Sequence, residues 1–291
     1  MQDPQDNTSA PASSDPIKAA AAPLDEGWAR DTLVRLAFAN LNEQKTARRW
    51  KVGLRMAWLL LLAVVFWQAF SFNSPTSNPS LPHTAMVSIV GEIGSETAAS
   101  AENVMSSMRL ALEDSGSQAL VLLINSPGGS PVQAGLINDE IIRLRALHNK
   151  PIYAVVEESC ASAAYYIAAA TDRIYVDKAS IVGSIGVLMD GFGFTGLMDK
   201  LGVERRLMTA GANKGFLDPF SPQTEAQRKH AQAMLDQIHT QFIDVVKKGR
   251  GDRLKSTPEM FSGLFWSGQQ AVDLGLADSL GSLDGVAREV V

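Results

Sequence analysis

Apolar runs and helically spaced apolar residues alternate along the last two-thirds of the chain. The segments AMVSIVG (85–91) and ALVLLIN (119–125) are rich in β-branched and large apolar residues. The second has no polar interruption before Asn125, which suits a strand buried on both faces of a sheet. Between them, apolar residues at four-residue steps predict a helix over 101–114. Further strands are predicted over 151–156, 173–177, 184–189 and 203–209.

Helix signals occupy the intervals between these strands. Ser130 is suited to cap a helix whose first residue is Pro131. Ser267 and Gln270 have the spacing of a capping box, and Gly275 is suited to end that helix. Further helices are predicted over 159–170, over 224–248 and after Pro258. The inward side of the helix that starts at Pro131 is predicted to contain Leu136, Ile137, Ile141 and Leu144.

The order of these elements defines a fold class. Strands and helices alternate from residue 85 to residue 291, and no period of 20–50 residues repeats. Alternation of this kind is typical of an α/β domain with a mostly parallel sheet and flanking helices. We therefore predict one such domain over 85–291.

A membrane anchor is predicted before this domain. Residues 56–72 contain no charged side chain, and with a few preceding residues they form a predicted transmembrane helix over 52–72. Five Lys and Arg residues lie just before or within the start of this helix, and the next basic residue is Arg109. This asymmetry predicts a cytoplasmic N-terminus and a C-terminal domain across the membrane. The alternative is a cleaved signal peptide, but about 50 leading residues are too many for one.

Three polar segments surround the predicted anchor. Residues 1–27 are rich in Ala, Pro, Ser, Asp and Gln, which predicts a disordered cytoplasmic tail. Residues 28–51 are predicted to form a juxtamembrane segment that contains a short helix. Residues 73–84 are rich in Pro, Ser and Asn and are predicted to be a linker.

Composition excludes several functional classes. The 291 residues have a formal net charge of −5 without a basic cluster in the predicted domain, so nucleic acid is not an expected partner. Cys160 is the single cysteine, which excludes an internal disulfide framework. No His, Cys, Asp and Glu cluster has metal-ligand spacing, and we expect neither a metal nor another cofactor.

A glycine pair marks the first candidate site. In INSPGGSP (124–131), Gly128 and Gly129 follow a predicted buried strand and precede a helix. Adjacent glycines allow backbone N–H groups to be exposed beside a helix N-terminus, where they can hold a phosphate or an oxyanion. A tight turn without chemistry is the alternative.

A serine between small residues marks the second candidate site. Ser162 lies in CASAAYY (160–166), which suits either helix packing or close approach of another molecule to its hydroxyl. A serine needs a base to become a strong nucleophile. Lys214, between small and apolar residues, could be desolvated and act as a neutral amine. The histidines are expected to lie at the surface: His83, His148, His230 and His239.

The sequence contains one further glycine motif. GFGFTG (191–196) has the G-x-G-x-x-G spacing of a dinucleotide-binding loop. The acidic residue expected about 20 positions later is absent, because that region is GANKG. We therefore interpret the motif as a flexible segment beside the active site rather than as a cofactor loop.

Several of these stretches together resemble the signal peptide peptidase A family of serine peptidases. They occur in the family's order, and the resemblance covers roughly residues 85 to 291. The chain is similar to the family's short, single-repeat, membrane-anchored form. The stretches are VLLINSPGGSP, CASAAYYIAAATDRIYVDKASIVGSIGV, AGANK, VVKKGRG and WSGQQAVDLGLAD.

The resemblance implies a fold and a set of roles. The fold is that of the Clp protease and crotonase families. Ser162 would be the nucleophile, Lys214 the general base and Ser184 the hydroxyl that orients the lysine. Backbone N–H groups of the Gly128–Gly129 turn and of Ala163 would stabilise the oxyanion. Many members have Gly-Gly after the serine where this chain has alanines, which bears on specificity.

The resemblance also implies a biological setting. The protein would be a single-pass protein of the bacterial inner membrane, with a periplasmic catalytic domain that cleaves remnant signal peptides or similar apolar peptides. Homo-oligomeric rings would share active sites between neighbouring subunits. Two alternatives stay open: a catalytically silent, membrane-tethered scaffold that binds polypeptides, and a crotonase-type acyl-CoA enzyme. The periplasmic location argues against the second, because acyl-CoA substrates are cytoplasmic.

Overall fold

The computed structural model describes residues 50–68 and 81–290. The predicted tail at 1–27, most of the juxtamembrane segment at 28–51 and most of the linker at 73–84 lie outside these residues. Helix α1 (Trp50–Gln68) is the helix among the described residues that is long and apolar enough to cross a membrane. All of its residues are exposed, which is what a lipid-facing helix requires of a single chain.

Seven strands form one sheet within residues 81–290. Five of them run parallel in the order β1, β2, β3, β4, β7, while β5 pairs with β3 in parallel and β6 pairs with β5 in antiparallel. The predicted α/β class with a mostly parallel sheet is confirmed. The strands are β1 (His83–Val90), β2 (Ser117–Ser126), β3 (Ile152–Ala161), β4 (Arg173–Val176), β5 (Ile181–Gly183), β6 (Phe265–Ser267) and β7 (Ser279–Leu280).

Helices connect the parallel strands and cover the sheet. The predicted caps are confirmed, because the hydroxyl of Ser130 accepts a hydrogen bond from the Gln133 N–H and Ser267 forms a capping box with Gln270. The helices are α2 (Ala101–Glu113), α3 (Pro131–His148), α4 (Ala163–Ala168), α5 (Thr195–Leu201), α6 (Glu225–Arg250), α7 (Gly268–Asp273) and α8 (Leu283–Val290).

Strand β3 changes partners along its length, and this change creates the site described below. Its first half pairs with β2 and β4, whereas Ser159–Ala161 pairs with β5. The β2 register shifts between Ile124 and Ser126, and Ser126 lies opposite Cys160. The carboxyl end of β3 therefore pairs with β5 instead of β4, and β6 extends the sheet beyond β5.

The core lies on both faces of the sheet, as the uninterrupted apolar run of β2 predicts. Leu120, Leu122 and Ile124 point into the main cluster together with residues of α2, α3, α4 and α6. Val121 points to the opposite face, where a smaller cluster includes Val286 of α8. All five residues are buried.

Four local predictions are wrong. The segment 184–189 leaves the sheet, because Ser184 has a positive φ of 51° and cannot continue β5. The segment 203–209 is exposed and pairs with no strand. The predicted helix over 159–170 is shortened to α4, because Cys160 and Ala161 complete β3. Leu136 is 47% exposed, although its predicted companions on α3 are buried.

An ion cluster ties α2 to α3. The carboxylate of Glu140, only 6% exposed, accepts hydrogen bonds from Arg143 at 2.7 and 2.8 Å and from Arg109 at 2.5 Å. The hydrogen bond from Arg143 lowers the pKa of Glu140 from 4.5 to about 2, and the arginine charges outweigh the opposing effect of burial. The ionised carboxylate is therefore a stabilising group in the folded protein.

Replacing Glu140 with glutamine is expected to lower the free energy of unfolding at pH 7 by about 2 kcal/mol, because charge-assisted hydrogen bonds are lost. Both arginines stay partly solvated, which limits the loss. The pKa is lower in the folded state, so the wild-type contribution is complete above pH 4.5 and is lost as the pH falls toward 2. Urea unfolding between pH 7 and pH 3 should show the two proteins converging at low pH. Asp139→Asn, an exposed neighbour on α3, is the matched control.

Candidate active site

Ser162 is the single residue between β3 and α4. Its backbone has φ 52° and ψ −122°, a conformation that non-glycine residues rarely adopt. Its N–H donates to the Gly183 carbonyl at 2.8 Å, and its own carbonyl accepts from the Tyr166 N–H at 3.0 Å. Such sharp turns concentrate at functional sites, where surrounding structure holds a strained residue in place. The hydroxyl is therefore presented at a fixed strand-to-helix turn.

The predicted glycine pair packs directly against this turn. A Cβ atom on Gly128 would lie 2.7 Å from the Cβ of Ser162 and 2.8 Å from the Ala161 carbonyl oxygen. A Cβ atom on Gly129 would lie 2.1 Å from the Ile93 carbonyl oxygen. Only glycine fits at either position, and both have positive φ values. The small residues in this part of the sequence thus allow two backbone segments to approach each other closely.

Two backbone N–H groups are available beside Ser162. Gly129 forms a parallel bridge with Ile93, in which Ile93 and Ser130 donate the hydrogen bonds. The N–H of Gly129 therefore points to the opposite side. Ala163 is the first residue of α4, so its N–H has no acceptor within that helix. Donors of this kind can stabilise an oxyanion.

These groups border a cavity of about 510 Å³, a volume typical of small-ligand sites. Ser162, Ser184, Gly129 and Ala163 line it, so the structure brings together four of the six sequence-predicted residues. Gly128 lies behind Ser162 and is buried. The apolar part of the lining includes Tyr166, Val187, Leu188, Ile238 and Phe242.

Ser184 occupies a second strained turn. It follows β5 with φ 51°, and its N–H donates to the Leu264 carbonyl at 2.8 Å. The preceding Gly183 packs on Trp266, whose Cδ1 would lie 2.8 Å from a Cβ added there. The turn holds Ser184 half-buried at the cavity wall.

Lys214 does not line the cavity. It is exposed, in a turn where its N–H donates to the Gly211 carbonyl at 3.1 Å. Nearby Phe216 contacts the ring of His230 on α6, with centroids 5.6 Å apart. The first residue of α6 that lines the cavity is Ile238, which is eight residues, or roughly 12 Å, farther along the helix than His230. Within one chain the structure separates the lysine loop from the serine.

The neighbouring thiol and phenol are not reactive candidates. Burial raises the pKa of Cys160, so its thiol stays neutral and is a poor nucleophile. Burial also raises the pKa of Tyr165, whose hydroxyl donates to the Leu276 carbonyl at 2.7 Å. In the described residues no group of three or more His, Cys, Asp or Glu side chains could hold a metal ion.

Sequence reasoning did not place α6 at the site. Ile238 and Phe242 form part of the cavity wall, one helical turn apart. They are two apolar residues at helical spacing, which was the available signal. His239, which lies between these two residues in the sequence, was expected at the surface and is half-buried.

Comparisons with known proteins point to a family of peptidases. A family profile described as Peptidase family S49 matches residues 145–290. A putative signal peptide peptidase SppA from Enterococcus faecium is 30% identical over 222 residues, which cover 73% of this chain and 64% of that protein. A putative protease from Synechocystis is 30% identical over 199 residues, which cover 68% of this chain and 69% of that protein.

One similar protein has a name from another functional class. A protein from Brucella melitensis named Na(+)/H(+) antiporter NhaA is 48% identical over 173 residues. The match covers 60% of this chain and 24% of that protein. The chain thus spans about a quarter of that relative's length.

A mostly parallel α/β sheet with a cavity lined by Ser162, Ser184 and backbone N–H groups is a framework suited to a serine hydrolase. The profile match and the relatives named as proteases identify the family. The chain belongs to peptidase family S49, the signal peptide peptidase A type of serine peptidase.

Proposed function

We propose that the protein is a membrane-anchored serine endopeptidase that cleaves apolar peptides, including remnant signal peptides, through a Ser162–Lys214 dyad. The observation that carries the proposal is the turn at Ser162, which lies in one cavity with Ser184 and the backbone of Gly129 and Ala163. Attack of the Ser162 hydroxyl on a peptide carbonyl gives a tetrahedral intermediate, and loss of the amine leaves an acyl-enzyme that water hydrolyses.

Each remaining group has a role in this reaction. The neutral amine of Lys214 takes the proton of the Ser162 hydroxyl and delivers it to the leaving amine. The hydroxyl of Ser184 orients the lysine. The N–H groups of Gly129 and Ala163 donate to the oxyanion, and one such donor typically contributes about 3 kcal/mol of transition-state stabilisation. Gly128 permits the close packing that holds this arrangement.

The position of Lys214 supports active sites shared between subunits. In one chain the lysine is exposed and outside the cavity, so its amine is open to solvent. Burial against a neighbouring chain would desolvate the amine and lower its pKa, which is what a general base needs. We therefore propose a homo-oligomeric ring in which Lys214 of each chain reaches Ser162 of the next.

The substrate class follows from the cavity wall. Valine, leucine, isoleucine and aromatic side chains line the space beside Ser162, which favours apolar residues next to the scissile bond. Remnant signal peptides contain such an apolar region. Helix α1, with basic residues at its N-terminal side, supports an anchor that places residues 81–290 in the periplasm.

A scaffold that binds polypeptides without cutting them is the second candidate. It is favoured by the separation of Lys214 from the cavity within one chain. A serine-directed fluorophosphonate discriminates between the two functions, because it reacts with activated serines and not with ordinary hydroxyls.

Labelling of the full chain in detergent micelles is expected to give one adduct per chain, located at Ser162 by peptide mass spectrometry. Lys214→Ala should abolish labelling, because the base is lost. Ser262→Ala removes another hydroxyl from the same cavity and should leave the adduct at Ser162 unchanged. A wild-type protein that stays unlabelled would favour the scaffold.

A further inference from the structure

The turn that presents Ser184 is held by three contacts. The Ser184 N–H is bound by the Leu264 carbonyl, and the Gly186 N–H donates to the Ser184 carbonyl at 2.9 Å, which closes a three-residue turn. Gly186 also packs tightly on Gly263, because a Cβ added to it would lie 3.0 Å from the Gly263 Cα. None of these contacts involves the carbonyl oxygen of Ile185, the central residue of the turn.

A fourth contact holds the carbonyl oxygen of Ile185. The carbonyl oxygen of Ile185, whose side chain is fully buried, lies 3.1 Å from Nε2 of His239 on α6. A carbonyl oxygen can only accept, so Nε2 of His239 donates the hydrogen bond. Unpaired backbone groups in such surroundings destabilise the local conformation, so this donor holds the strained turn in place.

We propose that His239 is a positioning residue that fixes the Ser184 turn for catalysis. It does not act on substrate. The inference rests on the proposed function, because Ser184 matters only if its hydroxyl orients the catalytic lysine. His239 is on the same helix as Ile238 and Phe242, which form part of the cavity wall. One hydrogen bond thus links the helix that lines the substrate cavity to the turn that presents the hydroxyl.

The bond should act on turnover more than on substrate binding. Loss of the donor frees the Ile185 carbonyl and allows the Ser184 hydroxyl to move, while the apolar wall of α6 stays in place. A displacement of about 1 Å at a positioned group can lower a rate about 100-fold. We therefore expect a fall in kcat with a nearly constant KM.

The test compares five variants of the full chain in detergent, with an apolar fluorogenic peptide as the substrate. His239→Leu removes the donor and should lower kcat about 10- to 100-fold, with KM changed less than about 2-fold. His239→Gln can place an amide N–H near the position of Nε2 and should recover most of kcat. Gln237→Leu puts the same residue at an exposed position of α6 and should behave as wild type. Ser184→Ala, alone and combined with His239→Leu, completes a double-mutant cycle.

The cycle separates positioning from general stability. If His239 acts through Ser184, His239→Leu should lower kcat by less than about 2-fold further in the Ser184→Ala protein. Additive losses, or a His239→Gln protein as impaired as His239→Leu, would overturn the inference. Full activity of the His239→Leu protein, together with an inactive Ser162→Ala protein, would also overturn the inference. That pair of results would leave the proposed function intact. Full activity of Ser162→Ala would overturn both.

Discussion

Replacement of Ser162 with alanine is expected to lower kcat for an apolar peptide by at least about 10⁴-fold, because it removes the proposed nucleophile and with it the acyl-enzyme. The neighbouring Cys160 cannot substitute, since its thiol is fully buried and burial raises its pKa. KM should change little, because alanine leaves the apolar walls of the cavity intact. Initial rates of peptide cleavage by the full chain in detergent measure the effect.

Lys214→Ala should have a similar effect on kcat, although the lysine is exposed and outside the cavity in one chain. Lys200→Ala is the matched control, since this lysine is also exposed and lies on α5, away from the cavity. A wild-type rate for Lys214→Ala would contradict the dyad.

Mixed assemblies distinguish shared sites from sites within one chain. Co-expression of Ser162→Ala and Lys214→Ala chains with different tags, followed by purification on both tags, selects oligomers that contain both. If each site combines a serine from one chain with a lysine from the next, random mixing restores about one quarter of the sites. Sites formed within one chain would stay inactive in every mixture.

Replacement of Asp278 with alanine is expected to lower the free energy of unfolding by about 3–5 kcal/mol, because it leaves the buried Arg250 guanidinium without its charge partner. The Arg250 side chain has no exposed surface, and its Nη1 donates to Asp278 Oδ2 at 2.8 Å. The same oxygen accepts from the Ile174 N–H of β4 at 2.7 Å, and Arg253 donates to the other oxygen at 3.0 Å. The aspartate therefore joins the end of α6 to the sheet.

The charge state of Asp278 sets the pH range of this contribution. Burial by itself raises the pKa of Asp278, but the hydrogen bond and charge of Arg250, with the Ile174 N–H, hold it below its ordinary value of 3.8. Because the folded-state pKa is lowered, the contribution is complete above pH 3.8 and is lost as the pH falls below it.

Urea unfolding at pH 7, monitored by circular dichroism, measures the loss of unfolding free energy. With a slope of about 3 kcal/mol per molar urea, the midpoint should fall by at least about 1 M. Asp252→Ala, an exposed residue in the turn after α6, should unfold as the wild type does. Arg250→Met in the Asp278→Ala protein should recover part of the stability, since it removes the unpaired charge. No recovery would show that the lost Ile174 contact dominates.

Local patterns predicted most of the fold because they are set by neighbours in sequence. The apolar run of β2, the cap at Ser130 and the capping box of Ser267 and Gln270 depend on residues within a few positions of each other. The predicted strand over 203–209 had the right composition, but a strand also needs a partner. No strand lies beside this segment in the described residues, so its composition alone was not sufficient.

The candidate site was predicted in part for a similar reason. Gly128 and Gly129 follow a predicted buried strand, and the carboxyl ends of parallel strands meet at one edge of a sheet. The sequence placed Ser162 in a predicted helix and Ser184 at the start of a predicted strand, so their roles rested on the resemblance. Arg250 gave no such signal, because a basic residue at a helix end is usually solvated. Its burial depends on Asp278, which lies 28 positions away and reaches it only through folding.

The amino-acid order by itself determined the α/β class, the apolar helix and the glycine pair, because each depends on residues that are close together along the chain. Only the tertiary structure decided that β3 leaves β4 to pair with β5, that α6 forms the cavity wall, and that Lys214 lies apart from Ser162 in one chain. These features depend on contacts between residues far apart in sequence, whose geometry is fixed when the sheet and helices pack together.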